Sequence, residues 1–282
     1  MCNKKCIQPF IKWSGSKRTQ ANEILKYFPK EINTYYEPFC GGASMLVALM
    51  KNDDIKVNTY HISDINKDLY YLFLSLKHQT QLLKYNYRQL WSNMFALENQ
   101  LDKQNYFNTI RTEYNNGFKY PWYFLFLNRT CFNGLIRYNS NGDFNTSFHL
   151  NRNGIHPDKM DKIIDEWSDL FNRKHVIVSL CSYDEHKPDK NDFCYFDPPY
   201  ANTKGMYYNN FNQEEFFNYL KTLKCGYTLS YDGISGDENN IVNVPQELYD
   251  EHIMIKSGNS SFKRITESNK QAIVYESLYL KK

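Results

Sequence analysis

Residues 34–49 read TYYEPFCGGASMLVAL. Thr34, Tyr35 and Tyr36 suit a short strand, Gly41 and Gly42 break it, and Met45, Leu46, Val47 and Leu49 continue as a helix-like apolar run. Residues 57–76, VNTYHISDINKDLYYLFLSL, repeat the scheme: a strand ends at Asp64, and a helix follows with Leu69, Leu72, Phe73 and Leu76 on one face. Two strand–helix units in succession are the signature of a parallel sheet. Ahead of them, Ile24, Leu25 and Phe28 lie at helical spacing in residues 17–28, and Pro29 closes that segment.

The pattern then changes. Residues 77–120 are rich in Gln, Asn, Lys and Tyr and read as amphipathic helix without strand signals. Residues 128–156 form a polar, Asn-rich stretch with several glycines, too long for an ordinary connection and therefore expected to be functional. Strand-like runs return in HVIVSL, FCYF, YTLSY and AIVYESLYL, and Asn212 followed by Glu215 marks a capped helix start. The expected organisation is an α/β domain of residues 1–76 and 165–282, interrupted by a mostly helical insertion of residues 77–164.

A chain of 282 residues can bury a substantial core, and its net charge of +3 is too mild to announce a nucleic-acid partner by itself. Aromatic residues make up 17%, enough to leave tyrosines over for stacking surfaces. Seven cysteines, an odd count without paired zinc-like spacing, point to reduced thiols. Cys2 and Cys6 are too isolated to read as a metal site, so no metal is expected. The absence of a signal peptide and of any long apolar run predicts a cytoplasmic protein without membrane contact.

Residues 193–200, FCYFDPPY, carry the chemistry. The first half has the composition of a buried strand, and Pro198 and Pro199 stop it because neither has a backbone donor for a ladder. Asp197 and Tyr200 are therefore expected on a stiff turn at a strand's carboxyl end, the edge where open α/β sheets bind ligands. On the same edge, EPFCGGASM puts two glycines where a strand turns into a helix, and Asp64 ends the next strand, well placed for ribose hydroxyls. No Walker lysine follows the glycines, which disfavours phosphoryl transfer; a nucleoside cofactor without a pyrophosphate, such as S-adenosylmethionine, fits. The amino group of adenine is a poor nucleophile because its lone pair is delocalised into the ring. Methylating it requires acceptors for its N–H groups and a fixed position at the methyl donor. Asp197 supplies one acceptor and the Pro198 carbonyl another, while Tyr200 can stack on the base, a contact worth roughly 1–3 kcal/mol. The base would have to leave its duplex to arrive there. A rigid strand exit alone would explain DPPY, but not the glycine turn and Asp64 in the same sheet.

Four separated stretches, FIKWSGSKR, EPFCGGAS, FLFLNRTCFNGLIRYNSNGDFNTSF and FCYFDPPY, together with SDIN, resemble in content and order the Dam-type, alpha-group DNA adenine methyltransferases. The resemblance implies a Rossmann-like methyltransferase sheet with helices on both faces and a target-recognition insertion. It also implies methyl transfer from S-adenosylmethionine, leaving S-adenosylhomocysteine, to the N6 amino group of a flipped adenine in a short duplex site. By position, it puts Trp13 and Lys17 at the methionine end of the cofactor, Lys17 as partner of its carboxylate. Glu37, Phe39 and Gly41 match the cofactor loop, Asp64 the ribose acid, and Tyr183 a backbone contact to the cofactor adenine. Asp197, Pro198, Pro199 and Tyr200 match the catalytic motif, with Asp197 also facing the cofactor. Lys12, Arg129, Asn133, Leu135, Arg137 and Asn139 are placed toward DNA: Asn133 and Leu135 enter the duplex, Arg137 reads a guanine and Asn139 contacts the backbone. An arginine on guanine is the commonest specific contact. The stretch IKSGNSSFKR, with Lys256, Lys263 and Arg264, reads as a phosphate-gripping loop.

Two departures stand out: Cys181, Ser182 and Tyr183 replace the Gly-Asp-Phe of many relatives, and the recognition stretch ends NTSFH. The Dam recognition sequence is therefore not carried over. The 4-amino group of cytosine and an amide nitrogen pose the same lone-pair problem, but those methylases open the motif with Ser and Asn, whereas this chain has Asp197. A DNA-binding regulator without chemistry is the reading of another class, and intact cofactor motifs argue against it. A monomer of bacterial or phage origin is expected, acting alone or beside a restriction endonuclease of the same site.

Overall fold

The computed structural model describes residues 7–199, 211–259 and 273–282. In chain order the elements are α1 (Ala21–Ile24), β1 (Glu31–Glu37), α2 (Ser44–Met50), β2 (Lys56–Asp64), α3 (Lys67–His78), α4 (Thr80–Phe95), α5 (Gln100–Asn115), α6 (Pro121–Thr130), α7 (Pro157–Arg173), β3 (Val176–Leu180), β4 (Phe193–Phe196), α8 (Gln213–Thr222), β5 (Gly226–Ser235), β6 (Glu238–Asn239), β7 (Glu251–Asn259) and β8 (Ile273–Lys281). They form two compact units. A helical unit holds the chain up to Ser16 and Ile65–Leu180, and a sheet unit holds Lys17–Asp64 and most of the chain from Cys181 onward.

In the sheet unit the strands run β2-β1-β4-β5-β8-β7, with β6 alongside β5. Strands β2, β1, β4 and β5 are mutually parallel, and β8 runs antiparallel between β5 and β7. Parallel pairing gathers the carboxyl ends of four strands on one edge, the Rossmann-like arrangement expected. All four residues of β4 are buried, as a central parallel strand requires. Its entry is pinned by Asp192, whose Oδ1 accepts from the Thr34 N–H at 2.9 Å and the Asn33 amide at 3.0 Å. Phe196, Phe216, Leu220, Tyr227, Leu229 and Tyr279 fill the core beside it, each such side chain contributing about 1.5–3 kcal/mol by leaving water. Asn212 caps α8 by accepting from the N–H groups of Glu214 and Glu215, as its position before the acidic pair predicted.

The helical unit is organised by α7, which buries Met160, Ile163, Ile164, Trp167, Leu170 and Phe171 along one stripe. Trp167 packs on Phe10 and Phe73, with ring centroids 5.7 and 6.5 Å away. This helix begins at Pro157 behind a His156 cap. Its apolar spacing and the proline at its first turn carry a helix signal in the sequence.

Three expectations change. The single helix over residues 17–28 is α1 flanked by 3-10 turns at Lys17–Thr19 and Leu25–Tyr27; the Lys17 N–H leaves any helical ladder to donate to Ser44 Oγ at 3.0 Å. The polar stretch 128–156 is no open loop: it closes as a small hairpin through the Cys131–Phe148 and Tyr138–Phe144 bridges. Lys256 lies in β7, because Ile253, Met254 and Ile255 pair in register with β8. Among the described residues no helix is long and apolar enough to cross a membrane.

Candidate functional site

Asp197 follows β4 directly, at the turn that Pro198 and Pro199 impose. Its Oδ1 lies 2.8 Å from the Lys17 ammonium, which is 3.6 Å from Glu276 Oε2 on β8. Lys17 is only 1% exposed. Burial alone would lower its pKa, but Asp197 and then Glu276 hold it above the usual lysine value. Lys17, expected as the partner of the cofactor's carboxylate, is here a direct partner of Asp197. Glu37, at the end of β1, is buried and accepts from the Tyr35 hydroxyl at 2.8 Å. Burial pushes its carboxyl up to about 8, against the Tyr35 hydrogen bond and with the Asp197 charge adding to the rise.

One strand over, Asp64 Oδ2 accepts from the Gly41 N–H at 3.1 Å, and the Ser63 carbonyl accepts from the Cys40 N–H at the same distance. The loop between β1 and α2 is therefore clamped to the end of β2. It turns through left-handed backbone at Gly41, where φ is 46°, and at Ala43, where φ is 52°. Glycine adopts that region freely and alanine rarely, and such strain concentrates at functional loops. The half-buried rings of Phe39 and Tyr183 meet at 5.5 Å, with Phe211 and Phe216 beside them. Cys40 is buried and its thiol is pushed well up by that burial, so it offers no nucleophile. Tyr200, Lys263 and Arg264 lie outside the described residues.

In the helical unit, Lys12 is fixed by Asn128, whose amide accepts from the Lys12 N–H at 2.9 Å and donates to its carbonyl at 2.8 Å. Asn128 is fully buried and did not stand out in the sequence. The Lys12 side chain lies over Gly134, where an added Cβ would come within 2.2 Å of Lys12 Cδ. Lys12 thus joins Asn133, exposed with φ of 55°, and the half-buried Leu135. Arg137 is exposed beside the Tyr138–Phe144 bridge near the turn of the hairpin, its carbonyl accepting from the Asn145 N–H at 3.0 Å. The Asn139 carbonyl oxygen of the side chain accepts from the N–H groups of Asn141 and Asp143, both at 2.9 Å, so it shapes the turn. Tyr138 donates to Asp68 Oδ2 at 2.6 Å and accepts from Asn66 at 3.3 Å, fastening the hairpin to the start of α3. Arg129 needs correction: it is 4% exposed and gives its guanidinium to the carbonyls of Pro9 and Phe10. Burial on α6 turns it inward, away from solvent. Trp13 is half-buried in this unit.

Carboxylates at the ends of neighbouring parallel strands, a strained glycine loop and a half-buried aromatic pair gather in the sheet unit, whose strand carboxyl ends are the edge where open α/β sheets bind ligands. The family model of D12 class N6 adenine-specific DNA methyltransferases matches residues 13–273. The type II methyltransferase M.MjaIII of Methanocaldococcus jannaschii is 31% identical over 210 residues, covering 69% of this chain and 69% of the relative. The type II methyltransferase M.CviBI of Paramecium bursaria Chlorella virus NC1A is 28% identical over 226 residues, covering 77% and 80%. The DNA adenine methylase of Haemophilus influenzae is 31% identical over 201 residues, covering 69% and 64%. Among solved structures, the rRNA methyltransferase aviRa of Streptomyces viridochromogenes aligns over 97% of this chain and 87% of its own, with a TM-score of 0.42 at 11% identity. The chain belongs to the D12 class of N6 adenine-specific DNA methyltransferases. It is an enzyme of DNA adenine methylation, and its family implies S-adenosylmethionine as donor.

Proposed function

We propose that this chain methylates the N6 amino group of an adenine flipped out of a short duplex site, converting S-adenosylmethionine to S-adenosylhomocysteine without a metal. The observation that carries the reading is the Asp197 carboxylate, held at the carboxyl end of β4 by a buried lysine. A carboxylate so fixed accepts one amino N–H, and the Pro198 carbonyl is the second acceptor; both draw the nitrogen lone pair out of conjugation. Tyr200 stacks on the base.

The residues fit the donor. Phe39 and Tyr183 offer ring faces to an adenine, and Asp64 beside Gly41 offers an acceptor to ribose hydroxyls. Carboxylates outnumber the lysine around Lys17, which suits a neighbouring cation. Bound there, S-adenosylmethionine supplies an electrophilic methyl group on a cationic sulfur. Glu37 stabilises the cofactor loop, and Trp13 contributes from the FIKWSGSKR segment.

Residues 77–164 are assigned to target recognition. Arg137 reads a guanine from its exposed position, with Lys12, Asn133 and Leu135 beside it and Asn139 ordering the turn. Lys263 and Arg264 grip phosphates. The relatives named type II methyltransferases support a restriction endonuclease acting on the same site. The protein works as a cytoplasmic monomer.

Incubation with unmethylated bacterial DNA and S-adenosylmethionine, read by nucleoside mass spectrometry and long-read sequencing, tests the assignment. Methyladenine is expected at one short motif. Asp197→Ala should lower turnover about 100-fold or more while cofactor affinity holds. Arg137→Ala should lose about 1–3 kcal/mol of discrimination at one guanine. Methylcytosine would overturn the substrate assignment, and uniform loss across all sequences would overturn the role of Arg137.

A further inference from the structure

The segment LSYDG, residues 229–233, has no role in the reading so far. It lies on β5, where Asp232 stands opposite Glu276 of β8 in antiparallel register. Like charges directly opposite destabilise a sheet. Both carboxylates are also withdrawn from water, Glu276 with 19% of its side chain exposed and Asp232 half-buried. Immediately after Asp232 the register slips, leaving Gly233 as a bulge. Bulges of this kind re-aim a side chain beside a site. A Cβ on Gly233 would lie 2.3 Å from the Tyr275 carbonyl oxygen and 2.9 Å from Met254 Cε, so this bulge closes only around glycine. Among the described residues, Lys17 pairs with Glu276 at 3.6 Å and with Asp197 at 2.8 Å.

We propose that Glu276 and Asp232 are positioning residues for methyl transfer: Glu276 shares the Lys17 ammonium with Asp197, and Asp232 opposite it reinforces the negative charge of Glu276, so that Asp197 is oriented yet keeps acceptor capacity for the target amino group. The inference rests on the role of Asp197 proposed above. An ammonium given wholly to Asp197 would occupy lone pairs that the adenine N–H must use. Divided with Glu276, it fixes the carboxylate without saturating it. Asp232, opposite Glu276, adds its own charge to that of Glu276 while it is ionised. Burial, with Glu276 adding and Lys17 opposing, pushes its carboxyl up to about 6. A protonated Asp232 no longer reinforces Glu276 in drawing the Lys17 ammonium, which is then left more fully to Asp197. The rate should therefore fall toward acid with a limb near pH 6.

Single-turnover methylation by the full-length protein, with melting temperature measured alongside, tests this. Glu276→Gln should slow the single-turnover step about tenfold or more, with affinities for duplex DNA and S-adenosylhomocysteine within about twofold. Its melting temperature should not fall, because the cross-strand repulsion is gone. Asp232→Asn mimics the neutral acid: it should be slow at pH 8 and lose the limb near pH 6. A wild-type rate in Glu276→Gln, or a loss confined to melting temperature, would overturn the positioning role. Failure of the wild type to make methyladenine would overturn the functional assignment and this inference together; a wild type that methylates, matched by both variants, would overturn this inference alone.

Discussion

The burial of Glu37 sets a measurable signature. Its carboxyl is pushed up to about 8 in the folded chain by burial, whereas an unfolded glutamate releases its proton near the usual carboxylate value. Between those two values the folded state binds more protons, so stability falls as pH rises and levels off above about 8. Asp232 has the same sign in a lower window, ending near 6, and His186, lowered to about 4 by burial and then by His61, has the opposite sign below its usual value. From pH 7 to 8.5 the buried thiols of Cys40, Cys131 and Cys194, raised by burial, add a decline of the same sign as unfolded cysteines begin to ionise, so Glu37 is read from the difference between wild type and variant. Denaturant melts should show wild-type stability declining more steeply than that of Glu37→Gln; parallel curves would place the proton elsewhere. Glu37, Asp64 and Asp197 were legible in the sequence because each sits where a strand-like run ends. The Asp232–Glu276 pair was not, because it exists only through the register of β5 on β8 and the Gly233 bulge, and local sequence does not encode that register.

Helix α6 shows how an element can overrule a motif. From Phe124 to Thr130 every residue is buried, and a helix apolar all round is a core helix. Arg129 is therefore withdrawn from the exposed surface that its place in the recognition stretch implied. It bonds the carbonyls of Pro9 and Phe10 instead, and so docks the amino-terminal segment of the helical unit. Arg129→Ala should cost about 3 kcal/mol in urea unfolding, since buried acceptors lose a charged donor. DNA affinity per folded molecule should be unchanged. A fully stable variant with weakened DNA binding would return Arg129 to the interface. Elsewhere the elements were read to different depths. The β1–α2–β2–α3 run was plain from periodicity, and the spacing in α7 was equally plain once sought. Strand β7 was hidden because EHIMIKSGN offers three apolar residues among polar ones, and only pairing with β8 makes it a strand.

At the scale of the molecule, two compact units divide the labour proposed for them. The sheet unit holds the clamped Gly41 loop and the Phe39–Tyr183 pair. The helical unit holds a hairpin tied to α5 by Asn115, which donates to the Phe144 carbonyl and accepts from its N–H, both at 3.0 Å, and to α3 through Tyr138. Loops fixed at a few polar points on a packed scaffold open locally at low cost, and ligands that order them suppress that opening. Hydrogen exchange should therefore respond in two separate places. S-adenosylhomocysteine should slow exchange in residues 37–44 and around Tyr183, and leave residues 131–149 near their free rates. A cognate duplex should slow residues 131–149 whether or not the cofactor product is present. Protection of the hairpin by S-adenosylhomocysteine alone, or of the Gly41 loop by DNA alone, would overturn the division. It would mean that the helical residues belong to the cofactor site, and the guanine contact would then have to be sought outside the Arg137 hairpin.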